Sequence, residues 1–211
     1  MRHWPLTALQ LTTAELVLRL PSDGELDSLA QVAADGVVPD GAVYFPQPWA
    51  SAPPAERARS VLQNHWWARG DWTSENWRLL LAVFRDGQVI GQQNLSARDF
   101  ATTGEARTGF WLGRRFQGQG FGTQMRAAAL ALAFDGLGAA RVTSTAFADN
   151  AASRAVSRKF GYRPNGVHRI AVDGHPHDVH EEVIEAADWQ RYTNVVPVEI
   201  TGLPTCIDCF C

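Results

Sequence analysis

Apolar residues fall along this chain in short runs of strand length, interrupted by stretches of helical spacing. Residues 16–20 (Leu-Val-Leu-Arg-Leu) read as a strand that Pro21 ends. Ser22 then stands as the N-cap of a helix whose buried side carries Leu26, Leu29 and Val32. Residues 35–54, rich in Gly and Pro, read as a long loop. Ala58, Val61, Leu62 and either His65 or Trp66 recur on one side of a helix over 56–69. Residues 79–84 form a strand, Asp86-Gly87 a hairpin turn, and Val89-Ile90 open the return strand. After a break at 102–104 a third strand covers 108–112, followed by a glycine-rich loop and a helix through Phe121, Met125, Ala128, Ala129 and Leu132. A strand over 142–147, a helix over 149–160 closed by Gly161, and two strands (167–172 and 180–184) around the turn Asp173-Gly174 complete the pattern. The order predicts an α/β (α+β) fold: a mixed sheet with helices on both faces.

Length and composition narrow the classes. The chain has 211 residues, 45% hydrophobic and 19% charged, which suits one globular domain, 1–193, with a tail over 194–211. A net charge of −3 offers no field for nucleic acid or an anionic membrane. The longest apolar run, residues 127–134, is far below the ~20 residues that span a bilayer. The first residues lack the apolar centre of a signal peptide, so a cytoplasmic location is expected. Cys206, Cys209 and Cys211 lie together in the tail, where no interior disulfide is expected. One Cys-x-x-Cys without a second pair is half a zinc site, so a tail docked on a second copy or a frayed end with reactive thiols is expected instead. His175, His177 and His180 surround a hairpin turn without metal-ligand spacing to an acid or thiol, and no metal is expected. Five of the eight tryptophans (Trp49, Trp66, Trp67, Trp72, Trp77) cluster before the first strong strand and read as a packed aromatic wall.

The chemistry concentrates at Gln117-Gly118-Gln119-Gly120-Phe121-Gly122-Thr123. A strand enters alternating glycines and a helix starts at once. Glycine permits positive φ and close approach of a ligand. The first amides of the helix are unpaired and sit at the positive end of its dipole, which makes an anion site suited to a phosphate or diphosphate. The Gly-Lys-Ser/Thr of a Walker loop is missing, and the dinucleotide pattern Gly-x-Gly-x-x-Gly fails at Thr123. A second strand-to-helix switch follows at Phe147-Ala148-Asp149-Asn150, where Asp149 or Asn150 is a good N-cap and Gly161 a C-cap.

Together the two segments resemble the acyl-CoA-binding motifs of the GNAT superfamily of N-acyltransferases. Residues 117–122 resemble its pyrophosphate loop, Gln/Arg-x-x-Gly-x-Gly/Ala. Asn150, Ser153 and Val156, with Lys159-Phe160-Gly161-Tyr162, resemble its next helix and turn. Residues 45–49, 86–91, 109–112 and Trp189 resemble the RimJ/RimL-type branch, some members of which are succinyltransferases. The resemblance implies a mostly antiparallel sheet in which the strands 108–112 and 142–147 splay to admit pantetheine. It implies that backbone groups at Trp111 and Leu112 pair with pantetheine and that the amides of Gln117, Gly118, Gln119, Gly120, Phe121, Gly122 and Thr123 hold the diphosphate. Arg114 and Arg115 are candidates for the adenine-side phosphates.

The implied reaction is direct attack of an amine on acetyl-CoA or succinyl-CoA, with acyl-CoA as co-substrate. The resemblance assigns Asn150 to the pantetheine and sulfur side and Ser153 to donation toward the leaving thiolate, and it places an oxyanion donor near Leu112. The family's glutamate before the Gly-aromatic-Trp stretch is replaced by Arg107. Glu105, two residues away on the same strand face, is the substitute base, with Asp99 a second candidate. Arg107 itself favours a carboxylate on the donor or acceptor, or pairs with Glu105. The acceptor is a protein N-terminus, a lysine or a small amine, and a homo-oligomer is expected. The rival from another class is a non-catalytic acyl-CoA-binding or sensing module.

Overall fold

The structure is a computed structural model that describes residues 1–210. Nine strands form one sheet: β1 (Gln10–Thr12), β2 (Val17–Arg19), β3 (Asn76–Arg85), β4 (Gln88–Arg98), β5 (Glu105–Leu112), β6 (Arg141–Phe147), β7 (Arg163–Val172), β8 (His175–Glu185) and β9 (Glu199–Thr201). Their order is β7-β8-β6-β5-β4-β3-β2-β1-β9, and every pairing is antiparallel except β5 with β6. The helices are α1 (Asp23–Ala34), α2 (Pro54–Gly70), the single turn α3 (Phe100–Thr103), α4 (Phe121–Ala131), α5 (Ala151–Lys159) and the single turn α6 (Ala186–Trp189). The mixed sheet with helices on both faces is the architecture expected from the order of apolar runs.

Two apolar layers hold the sheet. Beneath α1 and α2, Leu26, Leu29, Val61 and Trp111 pack on Ala82, Phe84 and Val89. On the opposite face α4 brings Phe121, Met125 and Ala128 against Leu81, Val83, Ile90 and Leu112, while Phe160 at the end of α5 joins the same core. The central strands β3, β4 and β5 alternate between these layers because their side chains have a period of two. The start of α1 follows from its sequence. Ser22 and Glu25 form a reciprocal capping box, and Arg19 bridges Glu25 at 2.6 Å, which holds that carboxyl down at about 2.

One feature of the sheet makes room for a ligand. The β5–β6 ladder runs only from Glu105 opposite Arg141 to Thr108 opposite Ser144. Beyond that rung β5 stays with β4 as far as Leu112, and β6 stays with β8 as far as Phe147. The strands part between these two loyalties, at the place implied by the family resemblance.

The ends of the chain depart from the sequence reading. β1 and β9, both of three residues, are too short for their periodicity to register, yet they extend the sheet as its outer edge. Between 194 and 210 the chain packs on its own core through Val196, Val198, Ile200, Leu203, Cys206 and Phe210. Phe210 is buried against Trp72 and Trp77, at ring-centroid distances of 5.5 and 5.0 Å, and the two indole N–H groups donate to the Cys209 and Phe210 carbonyls. The frayed end with reactive thiols is therefore corrected at Cys206, where burial pushes the thiol up to about 11, and Cys211 lies outside the described residues. The tryptophan wall is corrected as well: Trp72 and Trp77 stack together, Trp49 packs on Trp111, and Trp66 and Trp67 are 55% and 63% exposed. The Phe210 contact predicts that Phe210→Ala lowers the unfolding free energy by about 3 to 5 kcal/mol in urea denaturation. A loss below about 1 kcal/mol would show that the C-terminal residues lie outside the cooperative fold.

Candidate active site

The splay opens into a cleft of about 500 Å³ bounded by β5, β6, α4, α5 and the α1–α2 loop. Its first wall is backbone. Gly113 donates to the Ile90 carbonyl, which fixes the alternation of β5: Trp111 turns its backbone groups toward β4, and Phe110 and Leu112 turn theirs toward the gap. The Leu112 carbonyl is already taken by the Gln117 side chain at 2.8 Å. The amides of Phe110 and Leu112 are thus the free donors on this edge. The expected pantetheine contact at Trp111 is corrected to the side chain's role: it lines the cleft and packs at 5.7 Å on Trp49, while its backbone is spent in the ladder.

The glycine turn forms the mouth. Gly118 and Gly120 have φ of +73° and +87°, values that a residue with a Cβ reaches only with strain. The amides of Gly118, Gln119, Gly120, Phe121 and Gly122 have no acceptor among the described residues, and they crowd the start of α4. Two members of the expected set are already satisfied: Gln117 donates its amide to the Arg114 carbonyl, and Thr123 donates its amide to the Gly120 carbonyl. The Gln117 side chain is a brace, its Nε2 donating to the carbonyls of Val37 (2.7 Å) and Leu112 (2.8 Å) and tying the turn to the sheet. Gln119 donates its side chain back to Arg115, and Phe121 lies in the core, so both contribute backbone only. Arg114 bridges Asp40 at 3.1 Å, and neither it nor Arg115 lines the cleft.

Lys159, the single lysine of the chain, reaches Thr123 Oγ1 at 3.2 Å and lines the mouth. The sequence reading placed it in the Lys159-Phe160-Gly161-Tyr162 turn that closes α5, without a role at the glycine turn. Its contact with the glycine turn, 36 residues earlier, is a product of the packing of α5 beside α4. Asn150 caps α5 by accepting from the Ser153 amide at 3.1 Å, and both residues line the cleft. The cap uses the amide oxygen of Asn150 and leaves its Nδ2 for a ligand.

The face toward α1 and α2 is polar. Buried His65 donates through Nε2 to Gln92 Oε1 at 2.8 Å, and Gln92 Nε2 donates to Asn94 Oδ1 at 2.6 Å. This chain of donors fixes the His65 tautomer and leaves Asn94, a cleft residue, its Nδ2 hydrogens to offer. Burial pushes the His65 imidazole down to about 4, against the hydrogen bond with Gln92. Ser96 and Arg107 continue the row, with Tyr44, Phe45 and Pro46 across the opening. Arg107 pairs with Glu181 at 3.7 Å; the alternative pairing with Glu105 is absent.

Neither candidate base reaches this site. Glu105 opens β5 opposite Arg141, on the Arg107 face but about 7 Å of strand farther from the gap, and does not line the cleft. Asp99 caps the α3 turn with φ +50°, also outside it. Among the described residues no carboxylate or imidazole lines the cleft. His177 packs against Phe147 at the β7–β8 hairpin, and no cluster of three potential metal ligands occurs among the described residues. On the α4 side Arg126 is fully buried, between the rings of Phe110 (5.4 Å) and Tyr162 (5.2 Å). Burial pushes the Tyr162 hydroxyl up, with the nearby Arg126 cation opposing, yet no well-aligned hydrogen bond joins the two.

A splayed pair of strands, a glycine turn opening a helix and a second capped helix across the gap define an acyl-CoA transferase scaffold. The GNAT acetyltransferase domain model matches residues 15–163, and the chain belongs to that family of acyl-CoA-dependent N-acyltransferases. Among solved structures it is similar to Mycobacterium smegmatis RimJ in complex with CoA-disulfide, at 17% identity and TM-score 0.67, covering 97% of this chain and 95% of that one. It is also similar to RimL, the ribosomal L7/L12 alpha-N-protein acetyltransferase in complex with coenzyme A, at 20% identity and TM-score 0.62, covering 82% and 95%. A GCN5-related N-acetyltransferase from Brucella melitensis matches at 21% identity and TM-score 0.66, covering 86% and 80%. RimJ and RimL, whose branch the sequence motifs resemble, are thus among the solved structures that share this fold. No helix among the described residues is long and apolar enough to cross a membrane.

The His65 environment predicts a pH signature. The folded imidazole near 4 lies below its unfolded value of 6.5, so the unfolded chain binds the proton first as pH falls. Stability is full above pH 6.5 and drains toward pH 4, by about 3 kcal/mol in all. Urea midpoints of wild type and His65→Gln across pH 4–8 check this: the variant loses that slope, and equal slopes would contradict it.

Proposed function

We propose that this enzyme acylates the α-amino group of a peptide or protein N-terminus, or a small amine of similar basicity, with acetyl-CoA or succinyl-CoA as donor. The observation that carries the choice of acceptor is the lining of the cleft, which holds amide and hydroxyl groups and the cations Arg107, Arg126 and Lys159 but no carboxylate or imidazole among the described residues. Without a base beside it, the amine must arrive neutral. An α-amino group has a pKa near 7.7–8.0 and is substantially neutral at pH 7.5, whereas a lysine near 10.4 is about 0.1% neutral there.

The diphosphate of the donor is assigned to the amides of Gly118–Gly122 with Lys159, and pantetheine to the free edge of β5. The amine enters past Tyr44, Phe45 and Pro46, where Asn94 and Ser96 offer hydrogen bonds to the backbone of a peptide. Its nitrogen lone pair forms a bond to the thioester carbonyl carbon, and the carbonyl electrons move to oxygen. The amide of Phe110 or Leu112 is the donor for that oxyanion. Collapse breaks the carbon–sulfur bond and the electron pair leaves on sulfur, where Asn150 Nδ2 and the Ser153 hydroxyl are the polar neighbours. The ammonium proton passes to solvent at the open α1–α2 mouth.

Release of free CoA thiol tests this reading with acetyl-CoA and two acceptors, a short peptide with a free N-terminus and an Nα-blocked peptide carrying one lysine. The expected kcat/KM favours the free N-terminus by on the order of 100-fold at pH 7.5 and rises with pH through the amine's own pKa near 8. Preference for lysine, or a rising limb centred below pH 6, would overturn it by revealing an enzymic base.

A further inference from the structure

Among the described residues Arg126 is the one buried cation without a role in the proposed reaction. It projects from α4 at the inner end of the cleft, beside Phe110 and two residues of β5 beyond the last paired rung at Thr108 and Ser144. It is 0% exposed, and none of its three guanidinium nitrogens finds a well-aligned acceptor among the described residues. A buried guanidinium without a partner is costly, and in proteins it meets an anion. Glu182 stands on the same face of the sheet, opposite Ser144, but makes no bridge to Arg126; the salt bridges among the described residues omit both. The contrast with Arg107 is direct, because Glu181 already answers that charge.

Position decides which anion. The diphosphate is assigned to the mouth, and Arg126 lies six residues into the helix from Gly120, about 9 Å along its axis and behind Phe110. The acceptor enters on the opposite face, past Tyr44 and Asn94. What arrives on the α4 side of the gap, beyond the end of the pantetheine arm, is the acyl group. A guanidinium there, its flanks covered by aromatic rings and its nitrogens free, fits a carboxylate in a planar two-point contact.

We propose that this inner end is an anion pocket for the distal carboxylate of the acyl group, with Arg126 as its specificity-determining residue. The preferred donor is then a dicarboxylic acid joined to CoA through one carboxyl, of the succinyl class. This deepens the transferase reading and rests on it. An acetyl group leaves the guanidinium unpaired, and a monocarboxylic chain sets a methyl against it.

The test compares succinyl-CoA with butyryl-CoA, which has the same number of acyl carbons and a methyl in place of the carboxylate, and with acetyl-CoA and free CoA. Wild-type enzyme is expected to bind succinyl-CoA and turn it over with a kcat/KM above butyryl-CoA by on the order of 10- to 100-fold. Arg126→Met erases that ratio, and Arg126→Lys keeps part of it. The wild-type comparison stands whether or not the variants fold. Equal or better use of butyryl-CoA or acetyl-CoA by the wild type overturns the proposal while leaving the transferase reading intact. So does an Arg126→Met variant that weakens all four ligands equally, which would assign Arg126 to pantetheine. Failure of every thioester and of CoA to bind in calorimetry removes the transferase reading, and the proposal with it.

Discussion

The site exists because two neighbouring strands stop pairing. β5 and β6 share four rungs and then follow different partners, β4 on one side and β8 on the other. A strand edge inside a domain leaves amides and carbonyls without acceptors or donors, a condition that folded proteins rarely tolerate. Here the exposed edge faces a cleft, so a ligand with amide groups of its own meets the need that the sheet leaves open. The same divergence places α4 and α5 on either side of the gap. The start of one helix and the cap of the other, Gly120 and Asn150, therefore face a common space although they lie thirty residues apart.

The glycine turn depends on that arrangement. Its amides are useful only if the turn is held at the end of β5, and the Gln117 side chain holds it by bridging Val37 and Leu112. A glutamine that the family pattern would assign to the phosphate is thus a structural brace, and the charge at the mouth comes from Lys159 on the neighbouring helix. The two faces of the cleft differ in character. The α1–α2 side is a row of hydrogen-bonding groups anchored on neutral His65. The α4 side is a closed aromatic space around one cation.

The sequence carried most of this architecture. Strands and helices with strong periodicity, the Ser22 cap, the hairpin at Asp86-Gly87 and the glycine turn were legible because their signals are local. What escaped it depends on contacts between distant segments. β1 and β9 are three residues each, too short to show alternation. Lys159 and Arg126 gain their places from the packing of α4 against α5, and Arg126 within an alanine-rich helix carries no local sign of burial. Glu105 is the instructive failure: strand parity put it on the right face, but the distance along the strand to the gap was set by where β5 and β6 separate, which no pattern in the sequence marks.

The claim on which the rest depends is that unpaired amides of β5 and the glycine turn receive the donor. Amide hydrogen exchange read by mass spectrometry, with and without saturating acetyl-CoA, addresses it directly. The account predicts that exchange at residues 110–112 and 118–122 slows by ~10-fold or more, with the β7–β8 hairpin tip unchanged. Binding that left those two segments exchanging at their free rates would contradict it.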